Sequence, residues 1–181
     1  IDAFFGCIGF VLFILLFPLF ALLIKIDSKG SVIYKQERVG KNGKSIIIHK
    51  FRTMYEDLNK NDEKWREKNK NNITRVGRIL RRIHFDELPQ SLDILRGKLS
   101  FIGPRAEWIE LAKIFEKEIP FYKKRYLVKP GLIGWAQINF KPSRSVEEAR
   151  EKFEYDLYYI KNHSLLLDLE IIFKAIKLFL W

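Results

Sequence analysis

The chain opens with an apolar run, AFFGCIGFVLFILLFPLFALLI, which occupies residues 3–24 and carries no charged side chain. A helix of this length can cross a hydrocarbon core of about 30 Å. Pro18 lies inside the run, and a proline within a helix removes a hydrogen bond and kinks the helix. The residues alone allow two topologies, a bent membrane span and a re-entrant segment that enters and leaves on one face.

The part of the chain that follows this run is strongly basic, and the formal net charge of the whole sequence is +11. Such a charge is compatible with nucleic acid, an anionic membrane surface or a phosphorylated small molecule as the partner. No nucleic-acid-binding motif occurs, so we do not expect that partner. Because basic segments stay on the cytoplasmic side of a membrane, we expect the domain after residue 26 to be cytoplasmic. The first residue is Ile1 and not Met, so we expect a longer protein.

Two short β-branched runs predict a small β-hairpin after the apolar segment. They are Val32–Tyr34 and Ser45–His49, and the sequence GKNGK at 40–44 lies between them. An Asn-Gly pair between such runs is a hairpin-turn signal. The next segment, EDLNKNDEKWREKNKNN (56–72), is highly charged and predicts either a solvated helix or a mobile loop, which could be an active-site lid or inert surface.

The rest of the chain predicts helices. Apolar residues recur at helical spacing in RVGRILRRI (75–83) and in EWIELAKIFEKEI (107–119). A further helix is expected to begin at Asp86 as its N-cap and to carry an apolar stripe of leucines. The final run, SLLLDLEIIFKAIKLFLW (164–181), is apolar around most of a helix and predicts an element that lies in a membrane interface or docks on another apolar surface.

The stretch HFDELPQSLDILRGKLSFIGPR (84–105) holds the candidate site. An acidic pair, Asp86 and Glu87, follows several arginines, whose guanidinium groups bind phosphate. Two carboxylates would repel a phosphate unless a cation intervenes, and Mg²⁺ takes one or two carboxylates together with phosphate oxygens. A carboxylate beside a polarised phosphorus can also attack it. The local pattern therefore suggests phosphoryl transfer, although an acidic pair at a helix start is more often only a cap.

Five sequence blocks together resemble the bacterial sugar transferases, which are monotopic polyprenyl-phosphate phosphoglycosyl transferases. The blocks follow one another at the family spacing, and the last block resembles the larger members of the family. The five blocks are YKQERVGKNGK (34–44), HKFRTM (49–54), FDELPQSLDILRGKLSFIGPR (85–105), VKPGLIGWAQIN (128–139) and EKFEYDLYYIKNHSLLLD (151–168).

This resemblance implies a reaction. The family transfers a sugar-1-phosphate from a UDP-sugar to polyprenyl (undecaprenyl) phosphate in the bacterial inner membrane and releases UMP, as the first membrane step of exopolysaccharide, O-antigen or glycoconjugate synthesis. Asp86 matches the nucleophile that forms a covalent phosphosugar intermediate, and Glu87 matches its partner at Mg²⁺, with Asp86 also close to the metal.

The same resemblance implies further roles. Arg52, Arg81 and Arg105 match positions that face the phosphates, and the remaining substrate candidates are Gln137, Lys141 and Arg144. Pro18 matches the break of a re-entrant helix. The implied fold is α+β and mostly helical: residues 1–26 form a kinked re-entrant helix, and residues 27–181 form a catalytic domain with a β-hairpin and interfacial amphipathic helices.

Four positions depart from the family pattern. Ala106 stands where Pro is common, Ile133 where Thr is common, Phe140-Lys141 where Gly-Arg is common, and His84 where a small polar residue is common. These departures affect expected sugar and nucleotide contacts, and the sequence does not choose the sugar or the pathway. A homo-oligomer is left open, as are a non-catalytic, membrane-tethered binding protein and a scaffold that keeps only the fold.

Overall fold

The computed structural model describes residues 1–55, 72–140 and 145–180. The charged segment at 56–71 and the candidates Lys141 and Arg144 lie outside these residues. The elements are mainly helical with two small sheets, which confirms the predicted mostly helical α+β class. In chain order they are α1 (Asp2–Asp27), β1 (Ile33–Val39), β2 (Ser45–Phe51), α2 (Arg75–Arg82), α3 (Gln90–Leu95), β3 (Ser100–Ile102), α4 (Ile109–Glu118), β4 (Gly131–Ile133), α5 (Trp135–Asn139), α6 (Val146–Asn162) and α7 (Leu165–Leu180).

The predicted hairpin is present and is longer than the β-branched runs that indicated it. Strands β1 and β2 pair antiparallel from Ile33 opposite Phe51 to Val39 opposite Ser45. A 3₁₀ turn joins them, and its Asn42 and Gly43 have φ angles of 58° and 73°. Asn and Gly tolerate this left-handed region better than other residues, which explains why this dipeptide occupies the turn.

Helix α1 lies along the rest of the protein and is fixed at both ends. The Asp2 carboxylate accepts hydrogen bonds from Ser100 Oγ at 2.8 Å and Phe101 N at 2.9 Å. At the other end, Asp27 Oδ2 accepts from Val76 N at 2.8 Å. Both ends of the apolar helix are therefore held by the same globular body.

The outward side of α1 is apolar and exposed, and the helix is long and apolar enough to cross a membrane. It continues without interruption through Pro18, which is exposed. Burial recurs at helical spacing on the inward side, for example at Gly6 and Ile24. A Cβ on Gly6 would come within 2.9 Å of Leu95 Cδ2, so the missing side chain permits close packing on α3. Re-entrant insertion, and the division of the chain at residue 26, stay predictions.

The described core consists of several apolar clusters between the helices. One lies between α4, α6 and a 3₁₀ helix at Tyr122–Leu127, and includes Phe115 and Phe153. Another joins β3 to α6 and α7 around Ile171, which is fully buried. The predicted helix at 107–119 is confirmed as α4, with Ala112 turned into the core.

The last helix, α7, docks on the protein through one side, as predicted, and its place in a membrane interface stays a prediction. Ile171 and Ala175 are buried against the protein, whereas Leu166 and Phe173 on the other side are 80% and 70% exposed. A helix with one docked side and one exposed apolar side fits a membrane interface.

One local prediction around the acidic pair is wrong. Asp86 does not cap a helix, because Phe85–Glu87 form a separate 3₁₀ turn after His84, whose φ is 55°, and α3 begins only at Gln90. The buried residues of α3 are mainly polar and do not follow the leucine stripe; they are Gln90, Ser91, Asp93 and Ile94. Packing against α1 and a bond from Asp93 to the hairpin account for this orientation.

Candidate active site

The acidic pair sits in the 3₁₀ turn between α2 and α3, where the turn packs against β2. Asp86 is buried with 9% exposure, and the Glu87 side chain is 15% exposed. Buried carboxylates are unusual unless they are paired with cations or bind a metal. The surroundings of each carboxylate therefore decide what the pair can do.

Glu87 is paired with two cations. Its Oε1 atom accepts from Lys50 Nζ at 2.5 Å and from Arg105 Nη2 at 3.0 Å. Burial alone would raise the pKa of Glu87, but Arg105 and Lys50 lower it to about 2. Glu87 is thus a fixed anion at neutral pH, and both contacts use one oxygen.

Asp86 is in a different state. Burial raises the pKa of Asp86, and the neighbouring Glu87 raises it further, while Lys50, Arg81 and His84 act in the opposite direction. Among the residues that the structure describes, none donates a hydrogen bond to its carboxylate. Two adjacent carboxyl groups with opposite pKa shifts are typical of a site that divides two tasks between them.

The structure brings two of the three predicted phosphate arginines to the pair. Arg105 contacts Glu87 directly, and Arg81, whose Nε donates to Thr53 Oγ1 at 2.8 Å, acts electrostatically on Asp86. Arg52 is elsewhere: its guanidinium is buried and donates to the backbone oxygens of Ser28, at 2.8 Å, and Lys29. Arg52 therefore holds the segment that follows α1. Its contact with phosphate stays a prediction, which these two hydrogen bonds do not support.

Sequence reasoning missed Lys50, which lies two residues before Arg52 in the same block. Strand β2 ends at Phe51, so the alternation of the strand does not carry over to Arg52. The block itself was the available signal, because it contains both cations. Lys50 is the one that reaches the acidic pair.

A hydrogen bond to a buried carboxylate sets the position of Lys50. The neighbouring His49 donates from its backbone N to Asp93 Oδ2 at 2.9 Å, and its Nδ1 lies 2.9 Å from Asp93 Oδ1. Asp93 is completely buried in α3. The contact fixes β2 against the helix that follows the acidic pair, and sequence patterns gave no sign of it.

A close contact between two glycines fixes the backbone just before Arg105. Strand β3 pairs parallel with β4, and Gly103 N donates to Ile133 O at 2.9 Å. A Cβ on Gly131 would lie 2.1 Å from Gly103 N, so only glycine fits there. Arg105 follows directly after this contact, which fixes the point where its side chain leaves the backbone.

A cavity of about 750 Å³ opens beside these residues. His84, Glu87 and Arg105 line one part of it, whereas Asp86 is not among its lining residues. The predicted candidate Gln137 also lines it, and in the described part of the chain its buried Oε1 has no hydrogen-bond partner. A cavity of this size can take a ligand as large as a nucleotide sugar.

The wall of the cavity has a polar and an apolar part. Arg38 and Arg125 contribute buried Nε atoms without a partner in the ranges that the structure describes. Phe5 of α1 and Leu178 of α7 belong to the apolar part. The cavity therefore extends from the acidic pair toward the two helices that expose apolar faces.

No cluster of three or more His, Cys, Asp or Glu side chains that could hold a metal occurs within residues 1–55, 72–140 and 145–180. Asp86 and Glu87 supply two carboxylates. This set fits Mg²⁺, which keeps several waters and binds through one or two carboxylates plus substrate phosphate oxygens. It does not fit a structural metal site that the protein encloses on its own.

Comparison with known proteins gives a consistent family. The model of the family described as bacterial sugar transferase matches residues 1–181. Over 157 residues the chain is 42% identical to a UDP-N-acetylgalactosamine-undecaprenyl-phosphate N-acetylgalactosaminephosphotransferase of Aeromonas hydrophila. It is 42% identical over 162 residues to the exopolysaccharide production protein PSS of Rhizobium leguminosarum bv. phaseoli, and 41% identical over 160 residues to a UDP-glucose:undecaprenyl-phosphate glucose-1-phosphate transferase of Klebsiella pneumoniae.

These matches cover most of the chain but different shares of the relatives. They include 87% of the chain for the Aeromonas protein and 86% for each of the other two. The matched part is 37% of the Aeromonas protein, 34% of the Klebsiella protein and 81% of the Rhizobium protein. The chain thus spans about a third of the longer relatives.

Proposed function

The chain belongs to the bacterial sugar transferase family, and on that premise we propose that it transfers a sugar-1-phosphate from a UDP-sugar to undecaprenyl phosphate and releases UMP. The buried Asp86-Glu87 pair, with Lys50 and Arg105 on Glu87 at the edge of a large cavity, is the observation that carries this proposal. The product would begin the assembly of an exopolysaccharide or related glycoconjugate.

Asp86 is proposed as the nucleophile. Its carboxylate oxygen attacks the phosphorus next to the sugar, and the bond from that phosphorus to the UMP oxygen breaks, so UMP leaves with the electron pair. A phosphate oxygen of the lipid then attacks the same phosphorus and releases the Asp86 carboxylate. Asp86 suits attack because no ion pair holds its carboxylate within the part of the chain that the structure describes, whereas Glu87 is held by two cations.

The cations around the pair are proposed to receive the donor phosphates. Arg105 is partly exposed, with 36% of its side chain accessible, so it can contact a phosphate as well as Glu87. Arg81 lies on the Asp86 side. When bound by Asp86 and Glu87, Mg²⁺ would neutralise phosphate charge. Gln137 is proposed to contact the donor inside the cavity.

The membrane arrangement is also a proposal. Because Asp2 and Asp27 tie both ends of α1 to one globular body, re-entrant insertion explains the contacts better than a span with its ends on opposite sides. The site would then lie on the cytoplasmic face of the inner membrane, in contact with its lipids. Lys141 and Arg144 remain proposed substrate contacts.

The test uses the chain in detergent with Mg²⁺, a panel of UDP-sugars and undecaprenyl phosphate. At least one UDP-sugar should release UMP, and EDTA should stop the reaction until Mg²⁺ is added back. Asp86→Asn keeps the shape and removes the anionic nucleophile, so turnover should fall by several orders of magnitude, each tenfold being about 1.4 kcal/mol of barrier. Glu154→Gln, an exposed change on α6, is the control.

Mass spectrometry after incubation with the UDP-sugar alone tests the covalent step. A phosphosugar should appear on the peptide that holds Asp86, with about one UMP released per site. An adduct on Glu87 would reverse the two roles. Absence of UMP release from every UDP-sugar would refute the proposed function itself.

A further inference from the structure

The segment that carries Arg105 accepts hydrogen bonds from two buried arginines that belong to other elements. Arg125, in the 3₁₀ helix at 122–127, is 4% exposed, and its Nη2 donates to the backbone oxygen of Arg105 at 3.0 Å. Arg38, at the end of β1, is 8% exposed, and its Nη1 donates to the backbone oxygen of Ala106 at 3.0 Å. The guanidinium groups of two different elements thus hold two consecutive carbonyls.

Arg125 is itself held in place by two acids and a hydroxyl, and its Nη1 lies 3.8 Å from Glu107 Oε2. Its Nη2 also donates to Asp156 Oδ2 of α6 at 2.8 Å, and its Nη1 donates to Tyr122 Oη at 2.6 Å. Burial alone would lower the pKa of Arg125, but Asp156 raises it overall, so the group stays charged. Among the described residues Arg38 forms no ion pair of this kind, and burial lowers its pKa to about 10.

A buried ion pair of this kind is not needed for stability alone. The cost of removing two charges from water commonly cancels their attraction, and apolar replacements of similar volume are often as stable. The pair here does something that apolar residues could not do, because only a hydrogen-bond donor can hold the Arg105 carbonyl. The contacts form one path from Asp156 through Arg125 to the backbone of Arg105, and from its side chain to Glu87.

We propose that Arg125, oriented by Asp156, is a positioning residue that fixes the backbone of Arg105 so that its guanidinium meets both Glu87 and the diphosphate of the donor. Arg38 supports the next residue in the same way. This inference rests on the proposed function, since it assumes that Arg105 binds the donor. It assigns a role in donor binding to residues of α6 and of the 3₁₀ helix that never contact the acidic pair.

The alternative roles make different predictions about coupling. If Arg125 acts only through Arg105, the two residues are one functional unit, and the effects of replacing them do not add. If Arg125 contacts the donor by itself from the cavity wall, the effects add. If Arg125 is only a structural support, its replacement lowers stability and leaves the affinity of the folded protein for UDP unchanged.

The experiment measures binding of UDP with Mg²⁺ by calorimetry to the detergent-solubilised chain, for Arg125→Lys, Arg105→Lys and the double variant. Lysine keeps the charge, but its single nitrogen cannot reproduce the planar fork with which the two guanidinium nitrogens reach Tyr122, Asp156 and the Arg105 carbonyl. Arg125→Lys should weaken UDP binding about tenfold, and Arg105→Lys at least as much. The double variant should bind no more weakly than Arg105→Lys alone.

The matched control is Tyr126→Phe in the same 3₁₀ helix as Arg125. It removes a hydrogen bond of 3.0 Å to Glu116 that has no part in the path to Arg105. It should lower the melting temperature and leave UDP affinity unchanged. Should Arg125→Lys fail to fold, Asp156→Asn keeps the shape and an acceptor oxygen, and it should weaken UDP binding in the same direction by a smaller factor.

Additive effects of Arg125→Lys and Arg105→Lys would overturn the inference, as would wild-type UDP affinity in both Arg125→Lys and Asp156→Asn. Those results leave the proposed function intact, because the wild-type chain would still bind UDP and release UMP. A wild-type chain that binds no UDP and acts on no UDP-sugar would instead refute the proposed function and this inference with it.

Discussion

Replacement of Lys50 by methionine tests the geometry of the acidic site most directly. Methionine keeps an unbranched side chain of similar reach and removes the ammonium group that lies 2.5 Å from Glu87 Oε1. Both side chains are about 15% exposed, so solvent screens the pair little. The change leaves Glu87 with Arg105 as its partner, and the pKa of Glu87 should rise from about 2.

The expected loss of stability follows from these contacts. A hydrogen bond to a charged group contributes about 1.5–3 kcal/mol, and complete loss of a partner from a buried ion pair costs about 3–5 kcal/mol. Because Arg105 stays at 3.0 Å, the lower range applies. For a chain of this size each kcal/mol corresponds to about 2–4 °C, so the melting temperature should fall by roughly 3–12 °C.

The assay is thermal unfolding in one detergent at pH 7, with UMP release measured on the same samples below the melting temperature. The control is Lys35→Met, the same substitution at an exposed position of the partner strand β1, which should change stability by no more than about 0.5 kcal/mol. UMP release should fall in Lys50→Met and not in the control. Equal melting temperatures for the two variants would refute the ion pair and the account of Glu87 that depends on it.

Three further predictions follow from the fold and the charges. Gly131→Ala should lose about 1–3 kcal/mol of stability and most activity, because its Cβ would lie 2.1 Å from Gly103 N; wild-type unfolding and turnover would contradict the tight β3–β4 contact. In a Cys7→Ser background, single cysteines at positions 1 and 29 should react with an impermeant thiol reagent from the cytoplasmic side only, and labelling of position 1 from outside would exclude re-entrant insertion. In metal-free buffer, the wild-type chain should be more stable than Glu87→Gln, and this difference should have its full size above pH 4.5, the ordinary pKa of the carboxyl group. The difference should disappear as the pH falls toward 2, because the pKa of Glu87 is lowered in the folded chain. A difference that does not change with pH would contradict the ion pairs of Glu87.

Elements that depend on local sequence could be predicted from it. The hairpin follows from an Asn-Gly turn between β-branched runs, and α4 follows from apolar residues at helical spacing. The acidic pair and Arg105 were found through a block that is continuous in sequence. In each case the residues that indicate the feature lie within about twenty positions of it, and sequence patterns are informative over that distance.

Features that depend on distant contacts could not be predicted in the same way. Asp93 looks like a solvated position on an amphipathic helix, yet it is completely buried because His49, forty-four residues earlier, binds it. Arg52 matched a phosphate position, but the end of strand β2 turns its guanidinium toward the backbone after α1. Asp86 looked like a helix cap, and the left-handed backbone of His84 sets it in a separate turn.

The placement of the site between two chemically different surroundings agrees with the two substrates that the proposed reaction requires. On one side of Glu87 the cavity wall carries Arg105 and Gln137, which can hold a polar nucleotide sugar. On the other side it reaches Phe5 of α1 and Leu178 of α7, two helices whose outer faces are apolar and exposed. A lipid phosphate that approached along these helices would reach the acidic pair without carrying its hydrocarbon chain through water, which would cost about 0.8 kcal/mol for each exposed methylene group. One site can then serve a soluble donor and a membrane-bound acceptor in turn if the phosphosugar stays on the protein after UMP leaves. In the proposed reaction Asp86 retains the phosphosugar.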